Sequence, residues 1–237
     1  MVSELRTLNR RWRKHLLEQG VVKRSEQWTV GGPLFPAAYA KAKTRILWVL
    51  KETGDKEGRI VGPSLASFVK RRIRVICEKS QDTYYRVGFC TYGLLNPQAT
   101  LSSAKEKENV EDGLRHCAVI NLKKTAGYGT CIAPKVKRFA CRTLALWMTE
   151  IAILEPDLVV AGGTFWWMVT PAGLDDDCCY YRKKTSRVVV PSMVLSACAR
   201  RADHPIRIVE FPHPRRTPSR RLWTRVQQAR RYLYQPQ

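Results

Sequence analysis

Arg45-Ile46-Leu47-Trp48-Val49-Leu50-Lys51-Glu52-Thr53-Gly54-Asp55 joins five consecutive apolar residues to a charged turn. The unbroken run from Ile46 to Leu50 predicts a strand covered on both faces, the pattern of a parallel sheet lying between helices. In open sheets of this kind ligands bind just beyond the carboxyl ends of the strands. Lys51, Glu52 and Asp55 around Gly54 therefore stand where either a catalytic carboxylate or a helix-capping group belongs.

The same pattern recurs along the chain. Cys117-Ala118-Val119-Ile120-Asn121-Leu122 reads as a second buried strand ending at a polar residue. Asp157-Leu158-Val159-Val160-Ala161, before Gly162-Gly163, reads as a third. Val188-Val189-Val190 and Ile206-Arg207-Ile208-Val209-Glu210-Phe211 supply two more. Helical patterns separate them. Leu5, Leu8, Trp12 and Leu16 mark one face of a first helix, capped by Ser3 and ended by Gly20. Ser64 caps another, with Leu65, Phe68, Val69, Ile73 and Ile76 inward. Ala140, Leu144, Trp147, Ile151 and Leu154, at spacings of four and three, predict a strong helix that stops at Pro156. Thr217-Pro218 reads as a cap and a first-turn proline of the last helix, whose inner face is Leu222, Val226, Ala229 and Leu233. Residues 80–104 show little regularity, 102–115 read as an exposed loop or short helix, and 123–134 read as a loop. Strands alternating with helices predict an α/β fold, a three-layer αβα sandwich with a central, mainly parallel sheet. No linker or repeat interrupts the 237 residues. A single domain is expected, residues 1–44 being an N-terminal helix and lead-in and 45–237 the core.

The net charge of +22 and the isoelectric point near 10.1 point to a polyanionic partner. Nucleic acid comes first, because Lys and Arg contacts to phosphate supply most sequence-independent affinity. A membrane partner is not expected: there is no apolar run of about 18 residues, and neither a signal-peptide core nor a lipidation motif. A cytoplasmic protein, acting as a monomer, is the expectation. The eight cysteines include no CxxC pair and no zinc-finger spacing, so neither a metal nor another cofactor is expected. Tyr84, Tyr85, Phe89 and Tyr92 lie close together, where they can either stack on bases or pack in the core.

Polar residues after parallel strands gather at one sheet edge. Three stand out here: Glu52 after the first strand, Asn121 at the end of the second, and His213 after the last, held in Phe211-Pro212-His213-Pro214-Arg215-Arg216 between two prolines. With their surroundings these residues resemble the uracil-DNA glycosylase superfamily, over residues 45–233. Leu50-Lys51-Glu52-Thr53-Gly54-Asp55 occupies the place of the family's first motif, with Glu52 at the position of the water-activating residue. Ala118-Val119-Ile120-Asn121 resembles the strand whose terminal Asn binds the base. Glu155-Pro156-Asp157-Leu158-Val159-Val160-Ala161-Gly162-Gly163 is similar to the family's helix-Pro-strand-Gly segment. Pro212-His213-Pro214-Arg215 resembles the closing motif, whose His stabilises charge on the departing base. The first motif lacks the family's leading Gly and its Pro, and Arg215 replaces the Ser of the closing motif.

The resemblance implies a monofunctional DNA glycosylase that flips out a uracil or a 5-substituted, even hypermodified, pyrimidine and leaves an abasic site, in base-excision repair or in antiviral defence. It implies catalysis by Glu52 and His213, with Asp55 as the other candidate carboxylate. Asn121 would read the base, Tyr85 or Phe89 would stack on it, and Gly54, where the family's blocking Tyr stands, would leave room at its 5-position. Lys51, Lys123, Lys124, Arg215, Arg216, Arg220 and Arg221 would hold DNA, duplex or single-stranded. The competing expectation is a basic nucleic-acid-binding protein that keeps the fold without the chemistry.

Overall fold

The computed structural model describes residues 1–53, 63–80, 82–126, 133–169, 192–195 and 206–234. The opening apolar run is the centre of its sheet. It forms β2 (Ile46–Thr53), flanked in parallel by β3 (Cys117–Ala126) and β4 (Leu158–Gly162), with β6 (Ile206–Phe211) parallel beyond β4. β1 (Gly32–Pro33) and β5 (Ser192–Leu195) close the two edges antiparallel, giving the order β1-β3-β2-β4-β6-β5. The register pairs Val49 with Ile120, Leu50 with Asn121 and Glu52 with Lys123.

Alternation along the strands divides the core in two. Ile46, Trp48 and Leu50, with Cys117, Val119, Val160 and Phe211, face α3 (Leu65–Glu78), α4 (Thr83–Leu95), α6 (Lys107–Arg115) and α10 (Ser219–Tyr234). Leu47, Val49, Ala118, Ile120 and Ala161 face α1 (Val2–Glu18), α2 (Pro36–Lys41), α7 (Ala133–Arg142), α8 (Leu144–Leu154) and α9 (Phe165–Val169). The protein is thus α/β, with a mostly parallel sheet flanked by helices on both faces. Among the described residues no helix is long and apolar enough to cross a membrane.

Several expectations need correction. Residues 80–104 contain a well-formed helix, α4, capped by the Asp82 carboxylate, which accepts the Tyr84 amide at 2.7 Å, and the short α5 (Leu101–Ala104) follows it. Nine of the 13 residues of α4 are buried, so the helix lacks the one-sided stripe that betrays an amphipathic helix. The charged stretch after it is packed as well, because Val110, Gly113 and Leu114 of α6 are buried. A Cβ on Gly113 would stand 2.1 Å from the Gly88 carbonyl oxygen, so α4 and α6 cross at a distance that only glycine allows. α1 starts at an uncapped Met1, not at Ser3. The helix read through residue 140 is two helices parted at Thr143, whose hydroxyl turns back to the Phe139 carbonyl. Thr217 does not cap α10; its hydroxyl donates to the His213 carbonyl. The strand expected at 188–190 lies outside the described residues. The correction with most consequence is β3, which runs on to Ala126 and takes Lys123 and Lys124 into the sheet.

Candidate functional site

At the carboxyl edge of the sheet, β4 and β6 end level, at the paired Gly162 and Phe211, while β2 runs on to Thr53. Gly163 turns the chain away with φ +70°, and a Cβ there would lie 3.2 Å from His213 Cβ and 3.3 Å from Lys51 Cε. Only glycine combines that backbone with that closeness. The turn is tied down on both sides: the Gly163 amide donates to the Phe211 carbonyl at 2.7 Å, and the Thr164 hydroxyl to the Val49 carbonyl at 2.8 Å. The end of β2, with Lys51 and Glu52, and the segment just past β6, with His213, therefore stand on either side of the Gly163 turn, their strands two spacings or about 10 Å apart, and the notch is the space over that turn.

His213 opens a 3-10 turn, Pro214–Arg216, and its carbonyl accepts from the Arg216 amide at 3.2 Å and from the Thr217 hydroxyl at 2.9 Å. Arg86, on α4, holds this turn from below. Its Nη1 donates to the carbonyls of Pro214 at 2.7 Å, Arg215 at 3.2 Å and Thr217, while its Nε donates to Ser80. The imidazole is half-buried, and its Nδ1, fully shielded, has no hydrogen-bond partner among the described residues. Burial, and then the positive charges of Lys51, Arg216 and Arg215, lower its pKa to about 4. The ring is neutral near pH 7 and can donate one N–H to an oxygen in the notch.

That shift fixes a pH dependence. As pH falls below about 6.5 the unfolded chain takes up a proton on His213 that the folded chain refuses until about pH 4. This group therefore lowers stability progressively across that window. The urea midpoint should drop between pH 7 and pH 5 more steeply in the wild type than in His213→Gln. Equal slopes in the two proteins would contradict the assignment.

Across the notch, Glu52 is not free. Its Oε2 accepts from Lys123 Nζ at 2.9 Å, and the same ammonium donates to the carbonyls of Ala126 at 2.7 Å and Thr125 at 3.4 Å. Both side chains are largely shielded, Glu52 being 12% and Lys123 16% exposed. Asn121 lies one strand over and one inward-facing step below Glu52, on the same side of the sheet. It is 3% exposed, and no described residue hydrogen-bonds its carboxamide.

The expected residues thus separate. Glu52, Asn121 and His213 do share one sheet edge, although Asn121 sits inside β3 and not at its end. Arg215, Arg216, Arg220 and Arg221 are exposed and open to a polyanion. Lys51 is half-buried, with its ammonium 4.7 Å from the centre of the Trp167 ring. Lys123 is committed to Glu52, and Lys124 is fully buried against Glu150, so neither is a DNA-contacting surface lysine. Tyr85 and Phe89 are core residues, packed edge to face, with the Tyr85 hydroxyl donating to the Lys105 carbonyl; neither presents a face for a base. Gly54 and Asp55 lie outside the described residues. Two residues of this edge were not anticipated. Arg86 had no signal beyond its charge. Trp166 follows the glycine turn and is 45% exposed, next to the half-buried Trp167 whose ring lies against Lys51.

No protein-family model, curated protein or solved structure matches the chain.

Proposed function

We propose that the notch is the active site of a DNA glycosylase, a divergent relative of the uracil-DNA glycosylases that excises uracil or a 5-substituted pyrimidine. The observation that carries this reading is His213: a neutral, half-buried imidazole just past the end of β6, on a turn pinned by Arg86 and two strands from the end of β2 that carries Glu52. When an N-glycosidic bond breaks, its electron pair leaves with the base. A preorganised neutral donor stabilises the developing oxyanion without first having to lose a proton. Glu52 lies across the notch, where a carboxylate offsets positive charge on the sugar and accepts the proton of the water that bonds to C1′. Asn121 offers one donor and one acceptor to a base edge. The arginines after His213 and the charge of +22 favour a phosphate-bearing substrate. Flipping the nucleotide costs a few kcal/mol of unstacking, which Trp166 can offset by stacking.

The Lys123–Glu52 contact favours a second reading, a basic DNA-binding protein in which that pair is purely structural. One assay separates the two. DNAs carrying uracil, 5-hydroxymethyluracil or glucosylated hydroxymethylcytosine are incubated with the protein and then cleaved at abasic sites with alkali. The glycosylase reading expects breaks on at least one of them, with Glu52→Gln and His213→Ala each slowing the reaction about a hundredfold. Tight binding to all three without any break would leave the binding protein.

A further inference from the structure

A strongly basic groove lies on the α1 side of the sheet. It is about 540 Å³, between α1 and the first turn of α3, and is lined by Arg6, Arg10, Arg13 and Lys70 with no acidic side chain. Arg6, Arg10 and Arg13, at spacings of four and three, share one stripe of α1. Arg6 and Arg10 are exposed and have no carboxylate partner among the described residues. Arg13 donates from Nη2 to the Glu26 carbonyl at 3.3 Å, yet its Nε is shielded and without a partner among those residues. On the far side of the same stripe a second groove of about 680 Å³ adds Lys14, Lys23 and Arg24. Its one carboxylate, Glu18, lies 3.9 Å from Lys14.

We infer that this stripe is a second nucleic-acid contact, a track that holds the phosphodiester backbone of the strand away from the reacting nucleotide. Arg6 to Arg13 spans about 10 Å along the helix, the rise of three stacked nucleotides at about 3.4 Å each. The first turn of α3, with Ser64 and Ser67 at the groove, adds the positive end of a 14-residue helix. The track also leads towards the notch. Trp28, which lines the groove, bridges to Thr125 on β3, whose carbonyl accepts from the lysine paired with Glu52. The inference rests on DNA being the partner, as in the proposed function, and not on bond cleavage.

The test is binding of a fluorescein-labelled 30-nucleotide DNA, single-stranded and duplex, by the full chain between 50 and 300 mM NaCl. R6Q/R10Q should lose two phosphate contacts. The slope of log K against log salt should become shallower by about 1.4 for the single strand and 1.8 for the duplex, with affinity at 50 mM falling at least about tenfold. R6K/R10K, which keeps both charges, should retain the slope and so exclude a folding defect as the cause. An unchanged slope and affinity in R6Q/R10Q overturns the track. So does a loss confined to phosphatidylserine vesicles, which would make the stripe a lipid-binding surface. Abasic-site formation by the wild type is scored separately, so a salt effect without any cleavage counts against the glycosylase reading alone.

Discussion

Glu150→Ala should cost about 3–5 kcal/mol of stability, and Lys124→Ala about as much. Lys124 Nζ and Glu150 Oε2 are 2.6 Å apart, with the two side chains 1% and 0% exposed. Removing either partner leaves a charge buried where water cannot reach it. The pair is also the end of a chain of polar contacts. Asn9 Nδ2 donates to Glu150 Oε1 at 2.9 Å and to the Leu5 carbonyl, while Trp28 Nε1 donates to Asn9 Oδ1 at 3.0 Å. One cluster thereby fastens α1, the segment through Trp28, β3 and α8 together. Glu150→Ala strips Asn9 of its acceptor as well, so it should be slightly worse than Lys124→Ala. Lys124→Met with Glu150→Leu removes both charges and should recover most of the loss, leaving only the Asn9 hydrogen bond unmade. Urea midpoints for the two single variants and the double variant measure this. A cost below about 1 kcal/mol in Lys124→Ala would mean that water reaches the site and that the lysine is not buried as described.

The same lysine shows where reading the sequence stops. β2 and β4 were legible because a parallel strand buried on both faces is an apolar run, and both begin within two residues of where that run places them. β3 was cut short at Leu122 because Lys123-Lys124 looks like solvent-exposed chain. What makes those lysines strand residues is a partner for each: Glu52, 71 residues earlier, and Glu150, 26 residues later. Nothing local announces either partner. α4 failed for the opposite reason, being buried on nearly all sides and so without the polar face that gives a helix its period. At the site, His213 was legible because two prolines frame it. The notch that gives it meaning depends on Gly163 taking φ +70° beside it, a property of backbone and contact and not of residue type.

Arg86→Ala should lower stability by about 2–4 kcal/mol and, if the proposed glycosylase reading holds, slow excision further than that loss explains. One guanidinium nitrogen serves the carbonyls of Pro214, Arg215 and Thr217, and a second serves Ser80. Hydrogen bonds from a charged donor contribute about 1.5–3 kcal/mol each. Three of them share a nitrogen and part of the group is exposed, so their sum is well below additive. The carbonyls point inward because the 3-10 turn after His213 folds back, with only Thr217 and the Arg216 amide satisfying it from within. Without Arg86 the turn loosens, and the imidazole no longer holds a fixed position across from Glu52. The expected signature is therefore a fall in the single-turnover excision rate with DNA affinity nearly unchanged. Arg86→Lys distinguishes geometry from charge: an ammonium retains the charge but cannot reach the Ser80 carbonyl and the three carbonyls of the turn at once. It should behave almost as badly as alanine in excision while keeping the salt dependence of binding. If Arg86→Lys restores the rate, the arginine acts through its field on the DNA and not by placing His213.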